Sequence, residues 1–217
     1  MPYYRINTVN LSPLELWRLY PGGLFFRALF GKLRKQGVDT GYRLGSMERI
    51  QKFPEQELPV EFQMQLQRSL KAALREGYEP EFFYTIPQQG PSKSISVATV
   101  KGRREGFLEI RATVTGKPPA RVERERVFRF MATSDDGKTV VITTSETPRF
   151  DPPEDFRVRY HPNLPLAQLV GEHQKHLKEA GVQPARVPPD GLEDLVVHLH
   201  NLEIKRLVDR GALQQVS

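Results

Sequence analysis

The chain has 217 residues and no cysteine, which excludes disulfides, thiolate nucleophiles and cysteine-ligated metal centres. A hydrophobic fraction of 38% beside a charged fraction of 27% excludes wholesale disorder, and no run approaches the roughly 20 apolar residues that span a bilayer. The net charge of +6 is uneven: residues 1–52 carry nine basic and three acidic side chains, residues 101–129 nine and four, and the remainder is slightly acidic.

In chain order, Tyr3, Tyr4, Ile6 and Val9 suit a short extended segment. Ser12-Pro13-Leu14-Glu15 predicts a helix from Pro13 to about Tyr20: serine caps it, proline suits its first position, and glutamate bonds back to the cap. Pro21-Gly22-Gly23 ends it. From Leu24 to Gln36 the pattern is again helical. Phe25, Phe26, Leu29, Phe30 and Leu33 fall on one arc, with Arg27, Lys32, Arg34 and Lys35 opposite and no acidic residue between them. That composition suits a helix lying on an anionic membrane surface or against a partner protein, while an ordinary core-docked helix shares the same periodicity. Residues 37–58, with Gly37, Gly41, Gly45 and Pro54, read as a loop with one helical turn near 46–52. Pro59 to Glu76 reads as a core-docked helix on Phe62, Leu66, Leu70, Ala73 and Leu74, ended by Gly77.

Residues 81–145 then read as an antiparallel meander of five strands: 81–86, 93–101, 106–115, 122–133 and 139–145. Asp136-Gly137 is the clearest hairpin turn, because it accepts positive φ. Leu108, Ile110, Ala112 and Val114 alternate with Glu109, Arg111 and Thr113, so one sheet face is expected to be apolar and the other, carrying Ser94, Ser96, Glu109, Arg111 and Thr113, to meet water or a ligand. Arg103, Arg104, Arg121, Arg124 and Arg126 make the meander arginine-rich and form the alternative contact for an anionic ligand such as nucleic acid. Glu105, Glu123 and Glu125 partly neutralise them.

Beyond a proline-rich stretch, Phe156 to Tyr160 suits a sixth strand, and Asn163 and Asp190 are placed to cap two final helices. All five histidines lie in this region. His173 and His176, three apart on a helix, are the least favoured metal pair, since they fall on its apolar face and no HExxH spacing is present. Glu203 falls within an apolar arc: either that face ends before it, or its carboxylate is partly buried and paired with an arginine, Arg206 and Arg210 being nearest in sequence.

The expected architecture is α+β: a basic helical arm and loop over 1–58, then a body over 59–217. The body's antiparallel sheet of five or six strands carries the two C-terminal helices, together with the helix at 59–76, on one face. Nucleotide-binding, hydrolase and calcium-loop motifs are absent, and no cofactor is expected. The function expected is that of a binding or scaffolding module more than an enzyme, with nucleic-acid binding through 121–129 and then a His-dependent metalloenzyme as the alternatives. The module is cytoplasmic or membrane-peripheral, not integral to a membrane, and contacts a protein partner, a second copy or an anionic membrane through residues 24–36.

Overall fold

Period-two alternation through the middle of the chain produces a seven-stranded sheet, and segments from the two ends of the sequence produce a second, smaller one. The computed structural model describes residues 2–20, 22–39, 41–102, 105–116 and 122–216. Its elements are β1 (Tyr3–Ile6), α1 (Pro13–Leu19), α2 (Gly23–Leu33), β2 (Arg43–Gly45), β3 (Gln51–Phe53), α3 (Val60–Arg75), β4 (Glu79–Thr85) and β5 (Gln88–Gln89). There follow β6 (Ser92–Val100), β7 (Phe107–Thr115), β8 (Glu123–Thr133), β9 (Val140–Thr144), β10 (Phe156–Tyr160), α4 (Leu166–Ala180), α5 (Leu192–Asp209) and β11 (Leu213–Val216). The fold is α+β.

The large sheet has the order β10-β9-β8-β7-β6-β4-β3, antiparallel except for the parallel pair β9/β10. The expected meander is therefore the middle of a wider sheet. Its edges are β10 and β3, the latter a three-residue strand from a region that reads as loop because it is too short to show alternation. The small sheet, β11-β1-β2-β5, pairs Tyr3 with Val216 and so ties the two ends of the described chain together.

Both faces of the large sheet are covered. On one, Ile95, Val97, Leu108, Ile110, Phe128 and Phe130 pack against Phe62, Leu66 and Leu70 of α3 and Leu166 and Leu169 of α4. On the other, Ala98, Phe107, Met131, Val140 and Ile142 pack against Val196 and Leu199 of α5. The expected packing of three helices on one face is thus corrected: α5 lies opposite α3 and α4. The polar residues of the second face run from the middle of the strands to one end, and the apolar residues at the other end, Ala98, Phe107 and Met131 among them, have to be buried by something. A third cluster joins Ile6, Leu11, Leu16 and Ala28 to Ile204, Leu207 and Leu213, and packs the N-terminal elements onto the end of α5.

A local signal accounts for the start of α1, and less so for the later helices. Ser12 and Glu15 form a reciprocal capping box, with Glu15 N–H donating to Ser12 Oγ at 3.1 Å and Ser12 N–H to Glu15 Oε2 at 2.8 Å. The expected caps of α4 and α5 differ: Asn163 takes φ +66° in the turn before α4, which starts after Pro165, and Gly191 rather than Asp190 precedes α5. Gly106, at φ +85°, enters β7 so close to β8 that a Cβ would stand 2.4 Å from the Met131 carbonyl oxygen. Gly106→Ala is expected to cost about 1–3 kcal/mol of stability, read from the denaturant midpoint.

Candidate docking surface and interior cavity

The helical wheel places five apolar residues of α2 on one arc, and packing divides them. Phe25 and Leu29 turn inward beside buried Ala28 onto the third cluster. Phe26, Phe30 and Leu33 remain 58%, 60% and 71% exposed, and Leu14 and Trp17 of α1 are also exposed. Phe25 meets Trp17 and Phe26 edge-on, with ring centroids 5.2 and 5.4 Å away. Lys32 is not at the surface contact: its ammonium donates to the carbonyls of Val9 and Leu11, both at 2.7 Å, and holds the preceding turn. Arg27, Arg34 and Lys35 are exposed and, among the described residues, take part in no ion pair. Arg27 and Arg34 border a shallow depression floored by Phe30 and Gly31.

Of the arginine-rich strand, Arg103, Arg104 and Arg121 lie outside the described residues. Arg124 and Arg126 are exposed at the end of β8, the latter with its guanidinium 5.2 Å from the centre of the Phe128 ring. Arg129, two positions beyond Val127, points to the opposite face and is interior. His173 and His176 are brought together: both Nδ1 atoms bond to the Thr143 hydroxyl, at 3.1 and 3.0 Å, and His173 stacks on Phe130. Burial first, then the neighbouring His176, pushes His173 down to about 4; burial and Arg159 bring His176 to about 4. Among the described residues no group of three or more His, Asp or Glu is arranged to hold a metal ion.

The polar sheet face does not meet bulk water. The small sheet, the C-terminal half of α5, the α1/α2 junction and residues 146–153 arch over it and enclose a cavity of about 710 Å³. Its floor is Ser94, Arg111, Thr113, Arg129 and Thr144; its roof is largely apolar, with Ile6, Leu44, Phe150, Ile204 and Leu207. Leu24 and the exposed Glu125, Arg149 and Pro152 stand at the mouth, so the opening lies beside the apolar surface of α2.

Below the floor lies a buried ionic network. Glu109 Oε1 accepts from Ser96 Oγ at 2.7 Å, Tyr84 Oη at 3.0 Å and Arg111 Nη2 at 3.0 Å. Burial by itself would raise the Glu109 carboxyl, but the charges of Arg111 and Arg129 and the hydroxyl of Ser96 hold it at about 2. Arg129 donates to Glu203 Oε2 at 2.9 Å, which overrides burial and holds Glu203 below the usual carboxylate range. Glu203 therefore has an arginine, but from the sheet: Arg206 bonds Asp155, and Arg210 bonds buried Glu15. Burial keeps His200 neutral, its Nε2 2.9 Å from the Gly45 carbonyl, which as an acceptor fixes the proton on that nitrogen.

The sequence places Glu109 and Arg111 on the polar sheet face, but not their burial or their pairing with each other beside Arg129, because each alternates with apolar neighbours as a solvated face also would. The available signal was two-sided: the same face is apolar at Ala98, Phe107 and Met131, so it had to be covered. Comparison of the chain with models of known families, with curated proteins and with solved structures finds no match.

Proposed function

We propose that the protein is a peripheral binding module that docks on anionic membrane surfaces through the α1/α2 hairpin. The observation that carries this reading is the pairing of exposed Phe26, Phe30 and Leu33 with unpaired Arg27 on one short helix and unpaired Arg34 and Lys35 at its C-terminal end. No acidic residue occurs between Glu15 and Asp39, so the surface has one sign. A phenylalanine withdrawn from water contributes about 1.5–3 kcal/mol, and a basic side chain near an anionic surface about 1 kcal/mol, which together suffice for reversible attachment. Among the described residues no helix is long and apolar enough to cross a membrane, so the contact proposed is interfacial. Nucleic-acid contact through β8 has less support: Glu125 pairs with Arg149 at 3.3 Å, and Phe128 beneath Arg126 is buried, leaving no aromatic face for a base.

The expected result in co-sedimentation is binding to vesicles containing phosphatidylserine, weakening as salt is raised, and absence from purely phosphatidylcholine vesicles. Phe26→Ser plus Phe30→Ser is expected to weaken binding by at least about 100-fold while leaving stability nearly unchanged, because both side chains are exposed. Phe25 is unsuitable for this test because it packs inward. Failure to bind anionic vesicles at low salt, or wild-type binding by the double variant, would overturn the reading in favour of a protein partner on the same surface.

A further inference from the structure

The cavity can be read independently of membrane docking. Its volume of about 710 Å³ lies in the range of pockets that hold small organic ligands, and its polar floor and apolar roof suit a molecule with two ends. The charges on its lining identify the polar end. Arg129 is engaged by Glu203 at 2.9 Å and Arg111 by Glu109 at 3.0 Å. At the mouth, Arg149 pairs with Glu125 and Asp151 with Arg18. Glu146 is left. It lines the cavity, is half-buried, and has no ion pair or side-chain hydrogen bond among the described residues. Its charge is felt by Arg111 and Arg129 of the floor, neither of which forms an ion pair with it, and by Tyr42 and Tyr160, two cavity tyrosines whose phenols burial keeps protonated, Tyr160 at about 12. Both arginines already have closer carboxylates in Glu109 and Glu203, so a carboxylate with no ion pair of its own near neutral phenol rings is an environment that favours an ammonium group, through the charge and through the ring faces. An anionic head would add to an existing excess of one negative charge.

We infer that the cavity binds an amphiphile of the alkylammonium class, with its cationic, hydrogen-bond-donating head at Glu146 and its hydrocarbon chain along Leu44, Phe150, Ile204 and Leu207. Tyr160 lines the same cavity, so a head bearing an additional hydroxyl is accommodated beside its phenol.

The test uses the full chain and three matched probes, decylammonium, decanoate and decanol, each below its aggregation concentration, in calorimetric titration. Decylammonium is expected to saturate at one per chain and to bind at least about ten-fold tighter than decanoate. Glu146→Gln is expected to remove that preference while leaving decanol binding within about two-fold, since the hydrocarbon contacts are untouched. Leu44→Trp, which fills the half-buried roof, is expected to abolish binding of all three. Phe26→Ser plus Phe30→Ser is expected to leave decylammonium binding unchanged, which separates this site from vesicle docking. Equal or tighter binding of decanoate, undiminished binding of decylammonium by Glu146→Gln, or no saturable binding of any probe would each overturn the inference.

Discussion

Glu109→Leu is expected to lower the free energy of unfolding by about 3–5 kcal/mol, read from denaturant midpoints at an unchanged slope. The side chain of Glu109 is 3% exposed and neutralises Arg111 while accepting from Tyr84 and Ser96. Leucine removes one charge and leaves the other. Arginine cannot escape by losing its proton, so its burial with only the more distant charge of Glu146 left to it costs most of its desolvation. Glu109→Leu combined with Arg111→Met, which replaces the pair by apolar groups, is expected to recover most of the loss. The Tyr84 and Ser96 hydroxyls would still lack an acceptor, at about 1 kcal/mol or more each, and adding Tyr84→Phe is expected to recover part of that as well. The matching change at Glu203 is expected to cost less, because that side chain is 35% exposed and Arg129 retains Glu109 within electrostatic reach. A loss below about 1 kcal/mol for Glu109→Leu would mean that water reaches Arg111 from the cavity, and that the floor is solvated rather than dry.

The same residues show where sequence reading succeeds and where it stops. Helices α1, α2 and α3 and the strands β6 to β9 are legible because each has a local cause: a capping box at Ser12, apolar spacing of three and four along Phe62 to Ala73, alternation along Leu108 to Val114, and Asp136-Gly137 at a hairpin. The small sheet is not legible. Its strands run two to four residues, below the length at which alternation is distinguishable from chance, and its pairing of β1 with β11 depends on partners some 200 residues apart. Nothing local encodes such a pairing.

The cavity was lost for a related reason. A polar row on a strand looks the same whether it faces bulk water, a buried partner or an enclosed space, because alternation reports only that two faces differ. The small sheet turns that row into a floor, so failing to see the sheet means failing to see the site. The exposed surface of α2 was more accessible to sequence reading, since its one-signed charge is visible directly. Which of its aromatics are exposed was not: Phe25 and Phe26 lie about 100° apart within one apolar arc, and only the position of Leu11 and Leu16 behind the helix decides that the Phe25 end goes in and the Phe26 end stays out.

Acidification from pH 6.5 towards 4 is expected to destabilise the fold through His173 and His176. Both imidazoles are lowered from 6.5 to about 4 in the folded chain, so in this window the unfolded chain takes up protons that the folded chain refuses. Their contribution is complete above pH 6.5, declines as pH falls, and is exhausted below about 4, on the order of 3 kcal/mol for each imidazole. His200, also lowered by burial, acts in the same direction. Glu109 acts lower on the scale: its folded value of about 2 against 4.5 gives stability that is full above pH 4.5 and lost only below it. The interval from pH 6.5 to 5 therefore belongs to the imidazoles, and urea titrations at its two ends isolate them. His173→Phe preserves the stacking with Phe130 and removes one titrating group, so it is expected to reduce the slope by roughly 1 kcal/mol per pH unit. A wild-type stability that stays flat from pH 6.5 to 5 would mean that the shared hydroxyl of Thr143 does not shut these rings away from water, and that the packing of α4 on β9 is looser than its buried contacts imply.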